Sequence, residues 1–136
     1  MDKLRTHYDL VGPPDAESKL RPVKRRVLTD ETPLERDTRL RYEAVHVWNH
    51  KFWAAHNKAF SQEKEKFVTK LMSAKNFTSR SDVTAEDMSL FYKHFLQSRS
   101  SLHATYNKTW YKHNVSLLWP SFQTNLLRVF RRLLRR

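Results

Sequence analysis

An all-α fold, a small bundle of four to five helices behind an extended N-terminal arm, is what this sequence of 136 residues predicts. Three observations carry the prediction. Trp48-Asn49-His50-Lys51-Phe52-Trp53 and Tyr106-Asn107-Lys108-Thr109-Trp110-Tyr111 share one order: aromatic, Asn, two variable residues, two aromatics. At about 100° per residue the first and fifth positions of each segment fall on one helix face. Each segment therefore reads as an aromatic seam, and the two seams are expected to pack on each other. One Gly and five Pro leave few tight turns, which disfavours a many-stranded sheet. Helix-capping signals also recur ahead of the apolar segments.

Residues 1–31 read as an extended arm. Val11-Gly12-Pro13-Pro14 imposes a turn and polyproline-like backbone, and Arg21-Pro22 keeps its surroundings extended. Lys24-Arg25-Arg26 is a short solvated basic cluster, and Val23, Val27 and Leu28 are candidates to anchor the arm. The helical domain spans 32–136. Thr32-Pro33-Leu34-Glu35 is a capping box with Pro at the first helical position, where its missing N–H costs nothing. Leu34, Val45, Trp48, Phe52, Ala55 and Ala59 then form one stripe, flanked by Tyr42, Trp53, His56 and Phe60, so this helix is expected to run to about Phe60.

Ser61 reads as the N-cap of a second helix, with Glu63 and Glu65 in its first turn and Phe67, Val68, Leu71 and Met72 on its apolar face. After an irregular polar stretch at 74–83, Thr84-Ala85-Glu86-Asp87 caps a third helix carrying Met88, Phe91, Tyr92, Phe95 and Leu96. Continuation through Ser98–Ser101 and a break there are equally compatible with the sequence. Pro120 is expected to end or kink the helix that follows. A C-terminal helix, 121–136, would present Phe122, Leu126, Val129, Phe130 and Leu133 on one side. Arg128, Arg131, Arg132, Arg135 and Arg136 crowd the rest.

The net charge of +12 points to an anionic partner, nucleic acid or an anionic membrane surface. The absence of cysteine excludes disulfides, thiolate chemistry and Cys-based metal sites. The Asn76, Asn107 and Asn114 sequons lack a secretory signal to make them meaningful. Asp2 and Asp9 make the start more acidic than a mitochondrial presequence. No apolar run is long enough to span a bilayer.

His46 and His50 have the i, i+4 spacing that a metal accepts, but no third ligand is spaced to join them, so an exposed pair is expected and no metal or cofactor is assigned. No nucleophile elbow, phosphate loop, carboxylate pair or dinucleotide fingerprint is present, so no catalytic residue is assigned either. The C-terminal helix fits an interfacial element. Arg128, Arg131, Arg132 and Arg135 are its expected anionic-membrane contacts, at about 1 kcal/mol per basic residue near the surface. Asn49, Asn57, Asn107 and Asn114, polar amides at the rim of the seams, are the candidates for partner contact, since a buried amide needs hydrogen-bond partners.

Tyr8-Asp9-Leu10-Val11-Gly12-Pro13-Pro14, Leu20-Arg21-Pro22-Val23 and Glu31-Thr32-Pro33-Leu34-Glu35 occur in this order. They are followed by Trp48-Asn49, Phe52-Trp53, Phe60-Ser61, Phe91-Tyr92-Lys93, Tyr106-Asn107 and Trp110-Tyr111-Lys112. Over roughly residues 8–115 this ordered set resembles the cytochrome c oxidase assembly factor eight family, also called the apoptogenic-protein family. The resemblance implies a mitochondrial protein at the matrix face of the inner membrane that supports assembly and stability of respiratory complex IV. It also implies a role in protection under oxidative stress, a link to apoptosis, contact with complex IV subunits or assembly intermediates, and no catalytic residues. A presequence is expected of the family, whereas this chain starts almost directly at the Tyr8–Pro14 motif. A basic mitochondrial nucleic-acid-binding module is the alternative that the charge allows.

Overall fold

In the computed structural model, which describes residues 8–134, three α-helices dominate. Helix α1 spans Pro33–Lys75, α2 Ala85–Ser98 and α3 Ser100–Leu134. A short 3₁₀ turn, Arg80–Asp82, sits in the α1–α2 connection. Strands β1 (Leu10–Val11) and β2 (Val23–Lys24) pair antiparallel in the arm, with Leu10 opposite Lys24 and Val11 opposite Val23.

The predicted start of α1 is correct. Thr32 accepts from the Glu35 N–H, the Glu35 carboxylate accepts from the Thr32 N–H, and Pro33 stands at N1. The predicted end at Phe60 is not. Helix α1 continues unbroken for 43 residues to a left-handed Asn76, a length of about 65 Å. Nothing between Pro33 and Lys75 forces a break. The stretch contains no Gly and no further Pro, and a serine in a helix interior costs only a few tenths of a kcal/mol. Ser61 is an exposed mid-helix residue.

Helix α2 begins at the Thr84 cap, closed by Asp87. The choice between break and continuation resolves into an interruption of one residue at Arg99, whose φ of −106° and ψ of 6° leave the helical region. The backbone stays bonded across it, from Arg99 N–H to Phe95 O and from His103 N–H to Arg99 O. Arg99 is held there by Glu63 of α1, 2.8 Å away.

Pro120 neither ends α3 nor starts a separate C-terminal helix, because α3 runs through it to Leu134. Contacts to α1 on both sides of the proline hold the helix together: Leu117 and Thr124 are buried, and Ser121 bonds Tyr42 at 2.7 Å. The expected four to five helices are therefore, among the described residues, three α-helices and one 3₁₀ turn.

Side-chain pairs fix the register. Thr38 meets Thr124, Tyr42 meets Ser121, Asn49 meets Tyr106, His56 meets His103, Phe60 meets Phe95 and Lys75 meets Asp87. As the α1 number rises its partner's falls, so α1 lies antiparallel to α2 and α3 in one long hairpin. Among the described residues the buried apolar ones are few: Val68, Phe91, Phe95 and Leu117. Most of the core is a half-buried aromatic seam. Among the described residues no helix is long and apolar enough to cross a membrane.

Candidate functional site

Three features converge on α1: the aromatic seam, the docked arm and a carboxylate clamp at the open end of the hairpin. The seam is built as the twin motifs predict. Trp48 stacks on Tyr106 at 5.2 Å and Phe52 stacks on Tyr106 at 4.0 Å. Trp53 Nε1 donates to the Tyr106 hydroxyl (2.9 Å), which donates in turn to Asn49 Oδ1 (2.6 Å). Each polar tip is thereby satisfied by another member of the seam. Trp110 departs from the expectation. It lies about 40° around the helix from Tyr106 and is 39% exposed, so it borders the core without joining it.

The arm lies along α1 and is held by side chains in and around the first motif. Asn57 Nδ2 donates to the carbonyls of Glu17 (2.9 Å) and Ser18 (3.2 Å). Ser18 Oγ bonds His50 Nδ1 at 2.9 Å, and Val23 N–H donates to His46 Nε2 at 3.2 Å. The guanidinium of Arg25 caps the Tyr42 ring at 4.0 Å. Gly12 is required where the arm doubles back, since a Cβ there would lie 2.8 Å from Pro22 Cγ.

His46 and His50 are thus a half-buried, arm-bonded pair with rings 4.5 Å apart, not the exposed pair expected. Burial, then the neighbouring His50, pushes the His46 pKa below its ordinary value. Burial, then His103 and Arg99, does the same to His56. His56 and His103 pack at 4.7 Å, with Nδ1 of the former and Nε2 of the latter buried without a hydrogen-bond partner, and for His56 this burial favours the uncharged ring.

The clamp was not visible in the sequence. The side chain of Glu35 is fully buried, yet the residue opens α1. Its Oε2 accepts from Thr32 N–H (3.0 Å) and Thr32 Oγ1 (2.8 Å) and lies 3.2 Å from Arg131. Its Oε1 accepts from Arg128 Nε at 3.1 Å. Burial raises the Glu35 pKa, but the Thr32 and Arg128 hydrogen bonds and the Arg131 charge outweigh it, and the net shift is downward. Asp30 also takes Arg131, through its carbonyl at 3.3 Å. Beside the clamp a cleft of about 380 Å³ is lined by Arg25, Arg39, Tyr42, Glu31, Glu35 and Arg128. Arg39 is occupied there by Glu31 and Glu43, whose charges raise its pKa further.

The predicted site residues therefore separate. Asn49 serves the seam and Asn57 the arm, while Asn114 Nδ2 donates to Trp110 O of its own helix. Asn107 stands exposed on α3. Of the predicted membrane arginines, Arg128 and Arg131 are drawn inward by Glu35, Arg132 is exposed, and Arg135 lies outside the described residues.

A family profile described as Cytochrome c oxidase assembly factor 8 matches residues 8–130. A mitochondrial protein of that family from Caenorhabditis briggsae is 39% identical over 95% of this chain and 89% of its own length. The Drosophila melanogaster relative, also named mitochondrial, is 40% identical over 94% of this chain and 70% of its own. Cytochrome c oxidase assembly factor 8 of Bos taurus is 35% identical over 95% and 70%, respectively. No solved structure matches.

Proposed function

Because the chain belongs to the cytochrome c oxidase assembly factor 8 family, we propose that it is a non-enzymatic, mitochondrial assembly and stability factor for cytochrome c oxidase. It would act by contact with subunits or assembly intermediates at the matrix face of the inner membrane, and help protect that complex under oxidative stress. The observation that carries this reading is the family match over residues 8–130, which takes in the arm, the seam and all of the clamp but Arg131. The geometry supports a contact role. The polar groups of the seam and clamp are engaged with one another, so they serve as scaffold, and the long outer faces of the hairpin remain for partners. Among the four amides, Asn107 is the one offered for contact.

The alternative, a nucleic-acid-binding module, rests on the net charge of +12. It is weakened by the seam, because Trp48, Phe52 and Tyr106 stack on one another in the way that bases would need to stack on them. Affinity purification of the tagged chain from mitochondria, with complex IV activity measured after depletion, tests both. The expected result is co-purified complex IV subunits and reduced activity. Normal activity after depletion, or recovery of RNA in place of those subunits, would remove the leading reading.

A further inference from the structure

The C-terminal half of α3 packs the wrong way round for an ordinary amphipathic helix. Its inward side is largely polar: Ser121, Thr124, Arg128 and Arg131 bond Tyr42, Thr38, Glu35 and Asp30 of the hairpin's other end. Its outward side is apolar. Tyr111, Val115, Trp119, Phe122, Leu126 and Leu133 are all exposed, with Trp119 at 65% and Leu133 at 61%. At about 100° per residue these six fall within a third of the helix circumference, on the side facing away from Leu117 and Thr124. They form a stripe about 33 Å long, and the Trp119 and Phe122 rings stack within it at 5.8 Å.

The charge around the stripe has one sign. All 14 acidic residues of the chain lie at or before Asp87, so α3 carries none. Lys108 interrupts the stripe's N-terminal end, while Lys112 and Arg132 stand on its two borders, and all three are exposed. Arg128 and Arg131 are not among these cations, because Glu35 holds them inward.

We propose that this outward face of α3 lies on an anionic lipid bilayer, with the stripe in the headgroup–acyl boundary and Lys108, Lys112 and Arg132 against lipid phosphates. The proposal rests on the inner-membrane placement above and names the surface that achieves it. Apolar residues whose charged neighbours on α3 are all cations match a surface whose interior is apolar and whose headgroups are anionic. A second copy of this chain would bring cations against cations. Trp119 has the amphipathic ring favoured at such boundaries. Among the described residues no helix is long and apolar enough to cross the bilayer, and the proposal places α3 along it.

The test is flotation of the purified full chain with vesicles of phosphatidylcholine alone or mixed equally with phosphatidylglycerol. Binding is expected to the mixed vesicles and not to phosphatidylcholine alone. Trp119→Gln with Phe122→Gln, and separately Lys108→Gln with Lys112→Gln and Arg132→Gln, should each lower partitioning by about tenfold or more. Their melting temperatures should stay unchanged, because all five side chains are exposed. A wild-type chain that stays unbound, or a Trp119/Phe122 variant that floats like wild type, overturns the proposal. Loss of co-purified complex IV subunits in that variant, with no vesicle binding by the wild type, would assign the face to protein and leave the assembly reading standing. Vesicle binding with normal complex IV after depletion would do the reverse.

Discussion

Replacing Glu35 should destabilise the protein more than any other single charge change, and the structure sets the size. One fully buried carboxylate receives two hydrogen bonds from Thr32 and the guanidinium groups of Arg128 and Arg131. Removing one partner of a fully buried ion pair costs about 3–5 kcal/mol, whereas an exposed pair contributes about 0–1 kcal/mol. Here the carboxylate is buried but the arginine side chains are 36% and 26% exposed. Once orphaned they can turn toward water, so Glu35→Gln is expected to cost about 2 kcal/mol. Glu35→Ala also removes the capping box, adding about 1 kcal/mol. With an unfolding entropy near 2 cal/mol/K per residue, these losses lower Tm by about 7 and 10 °C. Urea denaturation of Glu35→Gln, Arg131→Gln and the double variant gives the coupling, expected to be about 1 kcal/mol or more. Additivity within about 0.3 kcal/mol would show that the clamp does not hold the ends of α1 and α3 together.

Other consequences can be checked in parallel. Trp48→Ala breaks the stack on Tyr106 and should cost about 2–4 kcal/mol, while Trp110→Ala, at the seam's exposed border, should cost about 1 kcal/mol or less. Equal melting temperatures for the two variants would contradict the placement of the seam. His46 and His56 bind protons less readily folded than unfolded, so their contribution is present above the unfolded value of about 6.5 and is lost as pH falls through the lower folded values. The urea midpoint should therefore drop between about pH 7.5 and pH 5.5, less so in His56→Gln, and a flat profile would refute the neutral-ring assignment. Asn57→Ala removes two of the bonds that hold Glu17 and Ser18 on α1, leaving the one from Ser18 to His50. Trypsin should then cut faster at Lys19, and an unchanged cleavage rate would mean the arm is held elsewhere.

How much of this was legible in the sequence depended on the range of the interaction. Capping boxes are local, and both Thr32–Glu35 and Thr84–Asp87 were readable from spacing alone. The pairing of the seams followed from two matching motifs, each able to bury rings only against the other. Junctions were harder. Ser61 carries a boundary signal too weak to break a helix, and Pro120 one that tertiary contacts override, whereas Arg99 interrupts a stretch without Gly or Pro, held by Glu63 from α1. The second role of Glu35 was illegible for a plainer reason. Its partner Arg128 lies 93 positions away, and nothing in a capping box announces that its carboxylate has acceptor capacity left over.

That last point also decides which way α3 faces. Hydrophobicity alone turns Phe122, Leu126, Val129, Phe130 and Leu133 toward whatever α3 packs on, and it turns the arginines outward. The polar ladder reverses this. Thr38 with Thr124, Tyr42 with Ser121 and Glu35 with Arg128 can form only if the polar side of α3 meets α1. Each of these pairs would leave a desolvated polar group on α1 if α3 were rotated by half a turn, and an unsatisfied buried polar group costs about 1–3 kcal/mol or more. A charged, buried Glu35 would cost the most. The inward face is therefore selected by hydrogen bonds and one carboxylate, and the apolar face is left to the outside as a consequence. Glu35→Gln should loosen this selection as well as lower stability. If the outward stripe is the lipid-facing surface, that variant should bind anionic vesicles less selectively oriented, with Trp119 more accessible to an aqueous quencher. Unchanged quenching of Trp119 on vesicles would separate the clamp from the orientation of α3.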